Sequence, residues 1–249
     1  MNFSGIGWNT ILGRIARLPL RLIPHSQVIP ILQGSLKGKK WVAGSGNHGC
    51  WLGSYEYEKA FLFEQSLRPG GIVFDVGANA GYYTLLSSVG VGPSGRVFSF
   101  EPSPWILPFL KRHLELNLVS NVDVLEVAVS DMSKKVRFEE GPSLATGRIA
   151  STGNVEVQMV SLDDLFLAKR VPLPDIIKMD IEGAEYDALR GAQNILEAGV
   201  PVLFLATHGR QIHDACCRLL RDAGYEVRAL FGGKIEETDE LIAMKKVSG

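Results

Sequence analysis

Cysteine is scarce in this chain of 249 residues: there are three, and two of them, Cys216 and Cys217, are adjacent. That usage builds no disulfide framework and shows no C-x-x-C zinc spacing, so it fits a reducing, cytoplasmic setting. Charge of one sign is also lacking, with a net charge of −1, and nothing in the overall balance points to nucleic acid as a partner. No apolar run is long enough to span a bilayer. Internal repeats and low-complexity stretches are absent. Acidic residues are missing from the beginning of the chain: the first is Glu56, after Arg14, Arg17, Arg21, Lys37, Lys39 and Lys40.

That acid-free opening divides the chain into a basic arm, residues 1–53, and a domain over residues 54–249. Within the arm, Ile11–Leu18 has the spacing of a short basic amphipathic helix, and Pro19, Pro24 and Pro30 interrupt the residues beyond it. The preferred reading is an arm packed on the domain or on a second subunit of a homo-oligomer. The alternatives are a peripheral contact with a membrane surface or lipid substrate, and a targeting peptide.

With 46% hydrophobic and 21% charged residues, the remainder has the composition of one domain with a real core. Ser54 is placed to cap a helix over Tyr55–Leu67, whose buried face would carry Ala60, Phe61, Phe63 and Leu67. From there strands alternate with helices. Strands are expected at Ile72–Asp75, Arg96–Glu101, Val122–Val129, Val136–Glu139, Val155–Val160, Asp175–Asp180, Val202–Ala206, Tyr225–Leu230 and Leu241–Lys245. Helices are expected at Tyr82–Val89, Trp105–Leu116, from a Ser161 cap onward, Ala184–Leu196 and Gln211–Ala223. This is an α/β pattern with helices on both faces of a mostly parallel sheet. The final two strands are too close for a parallel crossover, so the last should run antiparallel. Such an ending separates methyltransferase-like sheets from dinucleotide dehydrogenases.

The chemistry concentrates at strand ends, which in a parallel sheet share one ligand-binding edge. Phe74-Asp75-Val76-Gly77-Ala78-Asn79-Ala80-Gly81 is a strand followed by a glycine turn that opens a helix. Gly77 and Gly81 let backbone approach a ligand closely. Asn79 stands where a dinucleotide fingerprint has its second glycine, and Asp75 precedes the turn. A pyrophosphate is poorly served by that acid. S-adenosylmethionine has no phosphate and carries an ammonium and a sulfonium, so it suits an acidic strand end. Glu101, followed by the strand-ending Pro102, is placed to accept the two ribose hydroxyls. Ala128 and Val129, at the end of the third strand, complete the expected cofactor set.

In Asp175–Glu185, parity puts Ile176, Lys178 and Asp180 on one face of a strand. A lysine inside an apolar strand needs a partner, and Asp75 or Asp180 is the expected one. Glu182 is assigned to the substrate pocket, with Tyr55 and Glu56 from just ahead of the core. Further walls are expected from the Glu140–Gly153 loop and the residues after His208. His208, ending the fifth core strand, is the first choice for a general base, and Asp180 the second. Asp180, Glu182 and His208 also form a conceivable divalent-metal set, held as an alternative, and no metal is assigned. His113 and His213 fall within helical patterns and are read as surface or packing residues.

Together, FDVGANAGYYT, FEPSP, DIIKMDIEGAEYDALRGA, the His-bearing fifth strand and the upstream WLGSYE resemble the FkbM family of S-adenosylmethionine-dependent methyltransferases. The resemblance runs from about Trp51 to the end of the chain. It implies a class I methyltransferase (Rossmann-like) fold, with a seven-stranded, mostly parallel sheet, and O-methylation of sugar or natural-product hydroxyls. It also implies cofactor-binding roles for Asp75, Gly77, Asn79, Gly81 and Glu101, and pocket roles for Asp180 and Glu182. One departure is Ala206-Thr207 ahead of His208, where members often carry an acid.

The expected activity is therefore S-adenosylmethionine-dependent O-methylation of a small hydroxylated acceptor: a sugar, a glycolipid or a natural product. The alternatives are an NAD(P)-dependent oxidoreductase and a non-catalytic cofactor-binding protein at a membrane surface.

Overall fold

The central strands are buried on both faces, and their side chains alternate between two apolar layers. In a computed structural model, which describes residues 19–140, 147–149, 153–199 and 201–245, seven strands form the main sheet. They are β3 (Ile72–Val76), β4 (Arg96–Phe100), β5 (Val122–Leu125), β10 (Ile176–Met179), β11 (Val202–Ala206), β12 (Tyr225–Ala229) and β13 (Glu240–Lys245). Their spatial order is β12-β13-β11-β10-β3-β4-β5. All neighbours are parallel except β13, which runs antiparallel to both β11 and β12. The expected Ile11–Leu18 helix and most of the Glu140–Gly153 loop lie outside the described residues. No helix among the described residues is long and apolar enough to cross a membrane.

Phe74, Val76, Ile177, Met179, Leu203 and Leu205 point to one side of the sheet. They pack there with the helices Glu185–Arg190, Gln193–Ala198 and Arg210–Asp222. Val73, Val97, Ile176 and Phe204 point to the other side, toward the helices Tyr57–Ser66 and Tyr82–Val91. Period two thus sorts every central strand. On this second side Phe63 meets Phe204 edge-to-face at 5.2 Å and is fully buried, a burial that stabilises by roughly 1.5–3 kcal/mol. The same side holds a polar column: Asp75, Ser99 and Lys178 occupy the parity positions between the apolar ones, and all are buried.

Residues ahead of the expected domain boundary share this core. A two-stranded antiparallel sheet, β1 (Val28–Pro30) with β2 (Lys40–Val42), the loop that joins the two strands and the short helix His48–Leu52 contribute Ile31, Leu36, Trp41, Cys50 and Trp51 to the second layer.

Three expectations are corrected. The predicted strand Val122–Val129 breaks at exposed Glu126. Its second part, β6 (Val127–Val129), enters a separate four-stranded sheet with β7 (Lys134–Glu140), β8 (Gly147–Ile149) and β9 (Val155–Val160), in the order β6-β9-β7-β8. The predicted helix Ala184–Leu196 is two helices, because the chain passes too close to its neighbours at Gly191. A Cβ there would stand 2.1 Å from the Ser130 carbonyl oxygen. The second helix is then capped from a distance: Asp163 accepts the backbone N–H groups of Asn194 at 2.9 Å and Ile195 at 3.1 Å.

The first helix of the domain starts at Tyr57, not behind a Ser54 cap. Its capping residue is Glu56, left-handed at φ 43°, which makes no side-chain cap hydrogen bond. The Glu56 carboxylate is instead engaged by Tyr83 and Lys59. This start turns Lys59, Ala60 and Phe63 inward and leaves Phe61 53% exposed. By contrast, Ser161 caps its helix as expected, accepting the Asp164 N–H at 3.0 Å.

Candidate active site

The glycine turn after β3 is held by backbone and by contacts that only glycine permits. The N–H groups of Gly77 and Ala78 both donate to the Phe100 carbonyl at 3.0 Å, docking the turn on the end of β4. Gly77 has φ 80°, and a Cβ on it would fall 2.0 Å from the backbone oxygen of Asp180. Asn79, at φ 50°, accepts the Ala80 N–H on its own side-chain oxygen at 2.7 Å. Glu182 is left-handed as well, at φ 54°. Among the described residues, two of the five non-glycine ones with positive φ therefore stand in the walls of one cavity.

That cavity has a volume of about 890 Å³, within the usual range for small-molecule sites. The turn, Glu101, Pro102, Ala128 and Val129 wall it on one side. Lys178, Asp180 and Glu182 stand on another, and Tyr55, Trp41 and Asn47 come from the residues ahead of β3. The four-stranded sheet supplies Val136, Phe138 and Met159. The carboxylic and basic side chains of the lining are Glu101, Asp131, Asp180, Glu182 and Asp187 against Lys134, Lys178 and Arg190, five acids to three cations. This lining favours a cationic ligand over a pyrophosphate.

Four of the expected site residues are not in the wall, and the first is Gly81, which packs against Leu110 instead of facing the cavity. Asp75 is fully buried beneath it, accepting the Thr84 hydroxyl at 2.6 Å and facing Lys178 Nζ at 3.7 Å. Burial raises its pKa, and the Lys178 charge opposes that rise. Glu56 lies behind Tyr83, whose hydroxyl donates to it at 2.8 Å. His208 stands just outside, with Nε2 3.7 Å from both Asp180 Oδ1 and Glu182 Oε2.

Glu101 already uses both oxygens on backbone. Oε2 accepts the Asn79 N–H at 2.7 Å and Oε1 the Ser103 N–H at 2.8 Å. Each oxygen keeps acceptor capacity for a ligand hydroxyl. Burial pushes its pKa up to about 7, against the pull of those two N–H groups.

Lys178 bridges Asp75 and Asp180, the latter at 3.9 Å, donates to the Gly77 carbonyl at 3.2 Å and lies 5.2 Å over the Tyr83 ring. Asp180 is pushed up by burial, yet Lys178, Lys59 and His208 together hold its pKa below the ordinary carboxylate value. On His208, the hydrogen bond to Glu185 outweighs burial and lifts the pKa to about 9. Glu185 is itself fully buried and accepts the N–H groups of Ile181 at 3.2 Å and Gly183 at 3.0 Å. Among the described residues no group of three or more His, Cys, Asp or Glu is arranged to hold a metal ion.

Lys59 is a site residue that the sequence motifs do not single out. It is 3% exposed and reaches Glu240 at 2.7 Å, Glu56 at 3.5 Å and Asp180 at 3.8 Å, so a second buried cation backs Asp180. Its spacing from Phe63, four residues on, was the signal available. Trp41 and Asn47 carried no signal, because their place in the wall depends on how β2 packs.

Comparison with known proteins agrees with this architecture. Residues 75–227 match the family described as Methyltransferase FkbM domain. The hexuronic acid methyltransferase AglP of Haloferax volcanii is 30% identical over 139 residues, 55% of this chain and 56% of that protein. The 31-O-demethyl-FK506 methyltransferase FkbM of Streptomyces tacrolimicus is 25% identical over 51% of this chain and 62% of its own length. The chain thus spans little more than half the length of these two relatives. Among solved structures, a methyltransferase FkbM from Methylobacillus flagellatus aligns with a TM-score of 0.50 at 21% identity, over 79% of this chain and 53% of that one. That likeness is one of fold, the class I methyltransferase arrangement.

Proposed function

The chain belongs to the FkbM methyltransferase family, and from that premise we propose that it moves a methyl group from S-adenosylmethionine to a hydroxyl of a sugar, glycolipid or natural-product acceptor. The observation that carries this reading is the cavity between the glycine turn and Asp180, with its excess of acids. The named relatives act on a hexuronic acid and on 31-O-demethyl-FK506, a sugar acid and a natural product.

The residues fit the donor. Gly77 and Asn79 bring backbone close, Glu101 has lone pairs left for ribose hydroxyls, and the acids of the lining suit a cation. When bound, S-adenosylmethionine supplies an electrophilic methyl group on a positively charged sulfur. Much of the chain's contribution is then positioning. The acceptor oxygen gains the methyl group and loses its proton. Asp180 lies in the wall and His208 behind it, so the proton passes to His208 past or through the Asp180 carboxylate. Asp180 stays ionised beside Lys178 and Lys59 and serves as the second candidate base.

Calorimetric titration with S-adenosylhomocysteine and with NAD, followed by methyl transfer to a panel of hydroxylated sugars and natural products, tests the reading. Binding of the first ligand and turnover of a panel member are expected. Binding of NAD in its place would defeat the proposal.

A further inference from the structure

The helix Leu107–Leu116 supports the glycine turn from behind and grips β2 from the side. Leu110 and His113, three residues apart, share one face of it. Leu110 Cδ1 lies 2.5 Å from where a Cβ on Gly81 would sit, so the turn rests on this side chain. His113 is fully buried. Its Nδ1 is 2.7 Å from the Ala80 carbonyl, and the Val42 N–H meets its Nε2 at 3.0 Å. A carbonyl only accepts and a backbone N–H only donates, so the ring must be neutral with its proton on Nδ1. A histidine in the last turn of a helix is ordinarily favoured as a cation. Here burial wins, and the pKa falls to about 4.

One turn further, Asn117 accepts the Lys40 N–H and donates to the Lys40 carbonyl, each at 2.8 Å. Side chains at positions 113 and 117 thus replace the neighbouring strand that β2 lacks on this edge. Trp41, between the two gripped residues, stacks on the His113 ring at 3.7 Å and 16°. Trp41 and Ala80 both line the cavity.

We infer that His113 is a positioning residue for donor binding, joining the glycine turn at Ala80 to β2 at Val42, so that the segment Val28–Leu52 is a functional wall of the donor cavity. This inference rests on the donor reading of that cavity.

Two near-isosteric variants separate the two bonds. His113→Asn keeps an amide N–H near Nδ1 for the Ala80 carbonyl, whereas His113→Gln keeps an acceptor near Nε2 for Val42 and releases the turn. Calorimetry with S-adenosylhomocysteine on the full chain, alongside thermal melting, reads the outcome. His113→Gln is expected to bind on the order of three- to tenfold more weakly, and His113→Asn, which keeps the turn and loses only the β2 contact, to fall between it and wild type at a similar melting temperature. Asn117→Ala, which loosens β2 without touching the turn, should also weaken binding. Equal affinity in the Asn and Gln variants, or losses that merely follow melting temperature, would overturn the inference. Failure of the wild-type chain to bind S-adenosylhomocysteine would be a different result: it would remove the donor reading itself and this inference with it.

Discussion

Oε1 of Glu185 lies 2.8 Å from Nδ1 of His208, a fully buried carboxylate against a half-exposed imidazole. The carboxylate accepts, so the proton on Nδ1 stays in place and Nε2 is the titrating atom. Nε2 is also the atom that faces Asp180 and Glu182.

Methyl transfer is accordingly expected to climb with pH until about 9 and then level off, because only the neutral ring takes a proton. His208→Ala should abolish that limb and slow turnover by roughly 10²–10⁴-fold. Glu185→Gln should shift the limb to lower pH by removing the hydrogen bond that holds the proton. pH–rate series on the three proteins test this, and a wild-type profile flat between neutrality and pH 9 would rule out His208 as base. The raised pKa also stabilises the fold at pH values below the ordinary imidazole range. That contribution should fade as pH rises through about 9, visible as a falling melting temperature in wild type but not in His208→Ala.

Glu101 titrates from the other side. Its pKa of about 7 means that the carboxylate is lost progressively in mildly acidic buffer. Donor affinity should therefore weaken as pH drops below about 7. Glu101→Gln should be weaker by about 1.5–3 kcal/mol where the wild-type carboxylate is ionised, and the gap should close in acid because the variant lacks this pH dependence. Calorimetry with S-adenosylhomocysteine at several pH values decides it.

Gly77 and Gly232 have similar positive φ values, 80° and 78°, but only Gly77 has a backbone oxygen in the place of its missing Cβ. Gly232→Ala should cost only the left-handed strain, about 1–2 kcal/mol. Gly77→Ala should cost more, because neither its turn nor the Asp180 backbone can yield cheaply. Denaturant unfolding of both variants compares them directly, and equal losses would contradict the close approach.

Lys178→Met would leave Asp75 buried without its cation, at a cost of about 3–5 kcal/mol. Adding Asp75→Asn should recover part of that loss, so the double variant is expected to be more stable than the sum of the singles. Strict additivity in the unfolding cycle would show that the pair is not coupled.

Lys178 also shows what was legible in the chain and why. A lysine among isoleucines has no inexpensive burial except beside an acid; strand parity puts Asp180 within its reach, and the pairing of β10 with β3 brings Asp75. Strand Val202–Ala206 was readable to the residue because its apolar positions meet both layers of a core, and Val155–Val160 because exposed Glu156 and Gln158 alternate with buried apolar residues. What could not be read depended on approach between distant segments. The break at Gly191 comes from Ser130, the start of the first helix at Tyr57 from Tyr83 and Lys59, and the place of Trp41 from His113. Both ring nitrogens of His113 are committed to backbone, a role that helical periodicity reports only as packing.

The pairing of Lys178 with Asp75 has a meaning for assembly as well as for the site. The two residues are direct partners in the register of β10 against β3, where Ile177 faces Phe74 and Met179 faces Val76. Apolar matching alone distinguishes weakly among shifted alignments of two such strands. A slip of one residue would set the ammonium beside Phe74 or Val76 and strand the carboxylate among hydrocarbon. The buried charge pair thus acts as a key that fits one alignment of the two central strands, and the same alignment brings Asp180 to the glycine turn.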